Sequence, residues 1–301
     1  MTSVTIIGGG IFGLSCAWEM TRRGARVRLI EARRIGAGSS GGHVGALAPH
    51  APENWNPKKA FQLDSLLMAS GFWAGVEEAA NLPTGYGRTG RLQPVADAAA
   101  ADRLADRIAA AAQRWPEDCA MRLTDAPGGG LVPDSPSGLW LFDGLTARLA
   151  PRAAGAALAQ AIRNRGGEIV EGQAPGEPAG PVLWTTGTEG LADLSRDLGQ
   201  PIGKGVKGQS ALLRYAAPDA PQIFAEALHI VPHADGTVAV GSTSENVYDH
   251  LDPDDQIDGL IAKARAICPQ LRDAPVIDRW AGARPRARSR APILGPWPGR
   301  P

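Results

Sequence analysis

The first thirty-one residues carry the pattern that most restricts how this chain can fold. Residues 3–7 are a short run rich in β-branched side chains, which is typical of a buried parallel strand. Gly8, Gly10 and Gly13 follow as G-x-G-x-x-G, and a stretch with apolar side chains at helical spacing comes next. Residues 26–31 then form a second strand that ends in an acid. This order of strand, glycine turn, helix and strand predicts a dinucleotide-binding fold.

The three glycines meet three different steric needs. Gly8 permits the tight turn from strand to helix, Gly10 lets the backbone approach a pyrophosphate, and Gly13 lets helix and strand pack closely. The helix begins at Ile11 and Phe12, whose free N–H groups and positive dipole end favour phosphate. We therefore expect all five residues to lie against the phosphates of a dinucleotide.

The acid that ends the second strand, Glu31, lies eighteen residues after Gly13. A carboxylate at this position accepts hydrogen bonds from a ribose 2′-hydroxyl and repels a 2′-phosphate, so the pattern excludes an NADP site. Ala32 and Arg33 follow directly and are expected on the same nucleotide. These residues leave both FAD and NAD open as the cofactor.

The second glycine loop, residues 32–50, separates these two cofactors. It contains five glycines and two serines, whereas an NAD domain would normally proceed directly to its next helix and strand. A flavin is longer, and a loop of small residues with bare amides can follow its ribityl chain and ring. Ile35, Val44 and Leu47 favour ordered structure over a flexible linker. The loop therefore favours FAD.

Together these two glycine motifs resemble those of the D-amino-acid oxidase and glycine oxidase superfamily of FAD enzymes. The resemblance implies that Gly8, Gly10, Gly13 and Glu31 bind the ADP half of FAD. It also implies that the pyrophosphate, ribityl chain and flavin ring are lined by Arg33, Ser39, Ser40, Gly45, Ala46 and Leu47. In this superfamily a later strand and its A-T-G turn return beside the first glycine motif, which makes Thr186 and Gly187 cofactor-binding candidates.

The expected fold is α/β plus α+β, with two domains that the chain visits in turn. A Rossmann-like FAD-binding domain is predicted from residues 1–50 and 146–200. A substrate domain built on a mostly antiparallel sheet is predicted from residues 51–145 and 201–284, where β patterns and a hairpin turn follow one another. Residues 285–301 are expected to return to the first domain. Relatives continue with a flavin-closing loop and helix, which we expect this chain to lack after Pro301.

The candidate substrate site lies near the end of the chain. Residues 280–285 read Trp-Ala-Gly-Ala-Arg-Pro and are followed by a P-x-x-G at residues 292–295, as in glycine-oxidase-like enzymes. The resemblance implies that Arg284 binds the substrate carboxylate, which a guanidinium can hold through two charge-assisted hydrogen bonds. The alternative is that Arg284 forms a structural salt bridge. His229 stands where the superfamily usually has a substrate-facing tyrosine, and a packed or exposed histidine is as good an interpretation.

Composition excludes several other classes of function. Lysines and arginines number 31 and acids 31, and basic runs are lacking, which disfavours nucleic acid as a partner. Apolar runs fall short of the roughly 18 residues that a spanning helix needs. The three cysteines form no C-x-x-C and predict a reduced, cytoplasmic protein. No metal is expected, because paired metal spacing is missing at His43, His50, His233 and His250.

These observations predict an FAD-dependent oxidoreductase that oxidises an amino acid or secondary amine by hydride transfer. A small-molecule amine is the expected substrate, and oxygen or a quinone-type molecule the expected electron acceptor. The main alternative is a flavin-binding protein without amino-acid turnover, in a structural or regulatory role. An NAD dehydrogenase and a tRNA-modifying flavin oxidase are the other two, disfavoured by the second glycine loop and by the balanced charge.

Overall fold

The computed structural model describes residues 2–176, 178 and 180–300, so the expected break at Pro301 lies outside it. Its strands are β1 (Ser3–Ile7), β2 (Arg26–Glu31), β3 (Ala46–Leu47), β4 (Arg91–Pro94), β5 (Met121–Thr124), β6 (Trp140–Asp143), β7 (Ala147–Arg148), β8 (Glu168–Glu171), β9 (Val182–Trp184), β10 (Gly203–Arg214), β11 (Gln222–Ala225), β12 (Leu228–Pro232), β13 (Thr237–Gly241) and β14 (Val276–Ala287). Its helices are α1 (Ile11–Arg22), α2 (Pro57–Ala80), α3 (Ala98–Ala112), α4 (Pro151–Asn164), α5 (Gly187–Asp197) and α6 (Gln256–Ile267).

The first sheet is the predicted nucleotide-binding one. Its strand order is β8-β2-β1-β9, and the neighbouring strands are parallel throughout the described residues. Ile6 and Leu29 are completely buried in it, because helices cover parallel strands. The apolar positions of α1 recur at helical spacing, so Leu14 and Trp18 point into the same core.

The second sheet has eight strands in the order β14-β10-β13-β12-β11-β4-β6-β5. In the part of the chain that the structure describes, all of its pairings except β11–β4 are antiparallel, which confirms the mostly antiparallel second sheet. Helix α6 covers one face through Ile257, Ile261 and Ala264. The second glycine loop therefore packs on the opposite face of this sheet, which it contacts through Val44 and its neighbours.

Helix α2 joins the two halves of the molecule. Asn56 caps its first turn by accepting a hydrogen bond from the amide of Lys59, with Pro57 at the first helical position. Trp73 and Val76 pack into the core of the first sheet rather than that of the second. Leu66 of the same helix packs with Met121 and Leu141 of the second sheet, so α2 contacts both halves. The domain boundaries predicted from the sequence stay a prediction.

Candidate functional site

The turn between β1 and α1 is shaped by contacts that only glycine allows. Gly8 has a φ of +109°, and a Cβ there would lie 2.5 Å from the carbonyl oxygen of Thr185. At Gly13 a Cβ would lie 2.0 Å from the carbonyl oxygen of Gly8. A Cβ on Gly10 would come within 3.2 Å of the Ser40 hydroxyl. The close packing of turn and helix therefore depends on Gly8 and Gly13, whereas a Cβ at Gly10 would require only a small shift of the Ser40 hydroxyl.

The loops after β1, β2 and β9 meet at the carboxyl end of the first sheet. Glu31 accepts the amide hydrogen of Gly9 at 2.7 Å and that of Arg33 at 2.9 Å. Its carboxylate therefore fixes the glycine turn, and each oxygen keeps a second lone pair for another donor. Ala32 lies between these partners, at the same corner.

The turn before α5 lies on the other side of β1. The Thr185 hydroxyl donates to the carbonyl of Ile7 at 2.9 Å, so this turn is held directly beside the first glycine turn. Thr186 and Gly187 follow, and α5 begins at Gly187. The N-termini of α1 and α5 therefore lie at the same end of the sheet, an arrangement that suits a pyrophosphate.

The second glycine loop lies between the two sheets. The Ser40 hydroxyl accepts the amide hydrogen of Ile11 at 2.9 Å, which ties the loop to the start of α1. Gly42 packs against the ring of Trp280 on β14, where a Cβ would approach to 3.0 Å. At Gly45 a Cβ would lie 1.9 Å from the carbonyl oxygen of Leu149. The loop is thus ordered structure, as the sequence predicts, and its glycines are needed for its position.

A cavity of about 590 Å³ lies beneath this loop. It brings together seven of the residues that the sequence singles out: Ile11, Ser39, Ser40, Gly45, Ala46, Leu47 and Arg284. The other predicted cofactor residues surround the carboxyl end of β1 instead: Gly8, Gly10, Phe12, Gly13, Glu31, Ala32, Arg33, Thr186 and Gly187. The two groups are continuous through Ile11 and Ser40, so one elongated ligand can contact both.

Arg284 projects from β14 into this cavity. Its guanidinium donates to the Ser242 hydroxyl at 3.2 Å and to the Thr243 carbonyl at 2.9 Å, while Gly208 lies close beneath it. Burial, and then the neighbouring Arg286, lower the pKa of Arg284 from its ordinary value, yet a guanidinium stays charged at neutral pH. The residues that the structure describes supply Arg284 with no carboxylate, so its charge remains available to a ligand.

The sequence reasoning missed the polar network that holds the loop below Arg284. Lys207 is almost fully buried and donates to Asp254 at 2.6 Å, with Glu245 at 3.6 Å. Gln209 donates to both carboxylates, at 2.7 Å and 3.0 Å. The network fixes residues 242–245, which carry the two acceptors of Arg284. Isolated polar residues in a strand give no sequence signal for such a network.

His229 lies on the same face of the second sheet as Arg284 but not beside it. Strand pairing runs from His229 to Gly241, then Ser210 and Trp280, so three strand spacings, about 14 Å, separate β12 from β14. Arg284 is four residues further along β14, about 13 Å. Their backbones are thus about 19 Å apart, which is too far for both side chains to hold the carboxylate of one small amino acid.

The ring of His229 is stacked on Phe224 with centroids 4.7 Å apart, and its Nδ1 has no hydrogen-bond partner among the described residues. Burial, and then the charge of Arg91, lower its pKa from 6.5 to about 4. Between about pH 4 and pH 6.5, His229 is protonated in more of the unfolded chains than of the native molecules, so the free energy of unfolding falls as the pH is lowered. His229 is therefore a site of pH-dependent stability.

We expect His229→Phe to remove part of this pH dependence. Between pH 6.5 and pH 5 the wild-type protein should lose roughly 2 kcal/mol more free energy of unfolding than the variant, because the native ring resists protonation. Urea unfolding at a series of pH values measures the difference. His250→Phe, at an exposed histidine, is the control. Parallel curves for wild type and His229→Phe would show that burial does not suppress protonation of His229.

In residues 2–176, 178 and 180–300, no three histidine, cysteine or carboxylate side chains lie close enough to hold a metal ion. No helix of that part of the chain is long and apolar enough to span a membrane.

The geometry fits FAD. The amides of Gly9 and Ile11 already donate to Glu31 and Ser40, so the N–H of Ile11 is not free, contrary to the sequence prediction. The other amides at the start of α1 would bind a pyrophosphate, and Glu31 stands where a ribose would lie. The cavity continues under the second glycine loop, whose small residues leave room for a ribityl chain and a flavin ring. Arg284 also lines this cavity. Fold and site together define a protein with an FAD-binding site.

Comparison with known proteins gives the family. A family model described as DAO, FAD dependent oxidoreductase, matches residues 3–300, and the chain belongs to this family. It is 31% identical to the bifunctional protein ThiO/ThiG of Synechocystis sp., over 98% of this chain and 46% of that protein. The chain thus spans about half the length of the bifunctional ThiO/ThiG relatives, which it matches over nearly its whole length.

Two solved structures share the fold. Glycine oxidase from Geobacillus kaustophilus superposes with a TM-score of 0.82 at 21% identity, over 100% of this chain and 87% of that one. Iminodiacetate oxidase from Chelativorans sp. gives 0.82 at 22% identity, over 99% and 87%. Membership in the DAO family confirms the predicted resemblance, the FAD cofactor and an enzymatic role.

Proposed function

We propose that this chain oxidises an α-amino acid, or a related secondary amine that carries a carboxylate. The observation that carries the proposal is that Arg284 lines the same cavity as Gly45, Ala46 and Leu47. A guanidinium beside the expected place of the flavin ring would bind the substrate carboxylate through two charge-assisted hydrogen bonds. Such an anchor fixes the α-carbon relative to the ring, and positioning of this kind is a major source of rate acceleration.

The residues of the site are suited to orientation more than to acid–base chemistry. Bound FAD supplies the acceptor for the hydride that leaves the α-carbon. Arg284 would hold the carboxylate, and the loop glycines would let the backbone approach the ring and exclude water. The expected product is an imino acid, which water hydrolyses to the oxo acid. His229 has no place in this contact, because the register of β12 and β14 keeps it apart from Arg284.

The names of the relatives support the same substrate class. Glycine and iminodiacetate, after which the two structural neighbours are named, are both amines that carry carboxylates. We further propose oxygen or a quinone-type molecule as the electron acceptor. A cytoplasmic location is proposed from the cysteines, because Cys16, Cys119 and Cys268 are all free thiols and so suit a reducing compartment.

The test is anaerobic reduction of the bound flavin. Purified protein, reconstituted with FAD, is mixed with glycine, sarcosine, iminodiacetate and both enantiomers of larger amino acids. The absorbance of the oxidised flavin, at about 450 nm, is followed. We expect at least one of these compounds to bleach the flavin, and methylamine, which lacks a carboxylate, to leave it oxidised. Bound flavin that dithionite reduces but no amine does would refute the proposal and favour a flavin-binding protein without turnover.

A further inference from the structure

His43 stands in the middle of the second glycine loop, yet its ring is buried against the second sheet. The residue is only 4% exposed, although the loop around it contains five glycines. A buried imidazole costs free energy unless its nitrogens find hydrogen-bond partners. Both nitrogens of His43 have one: Nδ1 lies 3.1 Å from the Ser210 hydroxyl, and Nε2 lies 3.0 Å from the Asp278 carboxylate.

These partners define the protonation of the ring. A carboxylate accepts, so Nε2 carries the hydrogen and donates it to Asp278, while Nδ1 accepts from the Ser210 hydroxyl. Burial lowers the pKa of His43 and so favours this neutral form, against the opposing effect of Asp278. The neutral ring thus makes two directed hydrogen bonds, to β10 and β14.

Arg152 extends the same cluster to the first half of the molecule. It lies in the first turn of α4, donates through Nη1 to the Asp278 carboxylate at 2.7 Å, and through Nε to the carbonyl of Gly41 at 2.7 Å. The carbonyl of His43 itself accepts from Nε2 of His233, the residue directly after β12, at 3.0 Å. The loop is therefore bonded at Gly41 and His43 to α4, to β10, to β14 and to the residue that follows β12.

We propose that a group of four residues holds the second glycine loop over the cavity and so fixes where the flavin ring lies relative to Arg284. This group, the His43 cluster, is formed by His43, Ser210, Asp278 and Arg152. Glycine-rich backbone has little preference for one conformation, so its position must come from side-chain bonds such as these. His43 acts through the loop and is a positioning residue. The proposal rests on FAD binding and, for the relation to Arg284, on the proposed function.

The cluster also explains why the loop is placed accurately along the sheet. Asp278 and Arg284 lie on the same strand and point to the same face, since they are six residues apart on β14. A loop fixed to Asp278 is thereby fixed relative to Arg284. Movement of the loop by one residue along the sheet would break the bonds of His43 and Arg152 together.

The experiment uses His43→Phe, which fills the volume of the ring without its hydrogen bonds, and His43→Gln, which keeps a donor and an acceptor. FAD dissociation constants are measured by flavin fluorescence, and visible circular dichroism is recorded at saturating FAD, where it reports the surroundings of the ring. For His43→Phe we expect an FAD dissociation constant raised about 10-fold and an altered visible spectrum. His43→Gln should recover most of both, and His250→Gln, at an exposed histidine, should match the wild type.

A purely structural role would give another result. If His43→Phe lowers the melting temperature but leaves the FAD dissociation constant within two-fold and the visible spectrum unchanged, the proposal is wrong. Neither readout needs amine turnover. If the His43 variants show these shifts while the flavin of the wild-type protein is reduced by no amine, the proposed substrate class is overturned and the role of the His43 cluster in positioning FAD stands.

Discussion

Replacing Arg284 by alanine should lower kcat/KM for a carboxylate-bearing amine by about 1000-fold, which is roughly 4 kcal/mol of transition-state binding. The variant loses both the charge and the fork of donors that face the cavity. The substrate carboxylate would then enter a partly buried pocket without a partner, which costs more than the lost attraction alone. Steady-state kinetics and single-turnover flavin reduction measure the effect on binding and on the chemical step.

Two further variants identify the cause of such a loss. Arg284→Lys keeps the charge but not the planar fork, so we expect a smaller decrease, of about 10- to 100-fold. Arg279→Ala is the control on the same strand, because Arg279 lies on the opposite face and pairs with Asp258 at 2.5 Å. The assignment of Arg284 is wrong if its alanine variant turns over carboxylate-bearing amines as fast as the Arg279 variant does.

The parts of the fold that the sequence predicts correctly carry local, periodic signals. The strand at residues 3–7 and the acid-terminated strand at 26–31 lie where the pattern places them. The helix after the glycine turn, α1, is also as predicted, since its apolar residues recur at helical spacing. In each case the residues that decide the structure are neighbours in the chain.

Helix α5, over Gly187–Asp197, has no counterpart in the sequence analysis. Of its residues the structure buries only Gly190 fully, and its leucines are only partly covered, so the stretch lacks a strong apolar stripe. It forms where the chain leaves β9 and packs beside β10 and β14. Tertiary position rather than local pattern accounts for it.

The candidate site likewise contains residues that local motifs identify and residues that only the tertiary structure identifies. Short motifs place Gly8, Gly13 and Arg284 because spacing along the chain determines their chemistry. The bonds of His43 could not be found from the sequence, since Ser210 and Asp278 are 167 and 235 residues away. The expectation that His229 faces the same substrate as Arg284 came from two motifs considered separately. Which residues on one sheet face are neighbours depends on strand register, and here the register separates them.

Replacing Gly13 by alanine should raise the FAD dissociation constant at least 100-fold. The added Cβ would lie 2.0 Å from the Gly8 carbonyl oxygen and 2.6 Å from the Thr185 hydroxyl. The Gly8 carbonyl belongs to the backbone and cannot rotate away as a flexible side chain could, so α1 has to move from β1, and the amides at its start move with it. Overpacking of this kind costs about 1–3 kcal/mol in stability as well. Equilibrium titration with FAD and thermal unfolding measure the two effects.

Matched variants separate the loss of the cofactor site from general destabilisation. Gly75→Ala, inside α2, has open space around the new methyl group and should leave FAD binding unchanged, with equal or higher stability. Ile6→Val removes one buried methyl group from β1, and should cost about 1 kcal/mol in stability while retaining FAD. If Gly13→Ala binds FAD no more weakly than Ile6→Val does, the turn tolerates the methyl group. The close approach of α1 to β1 would then not be what shapes the phosphate site.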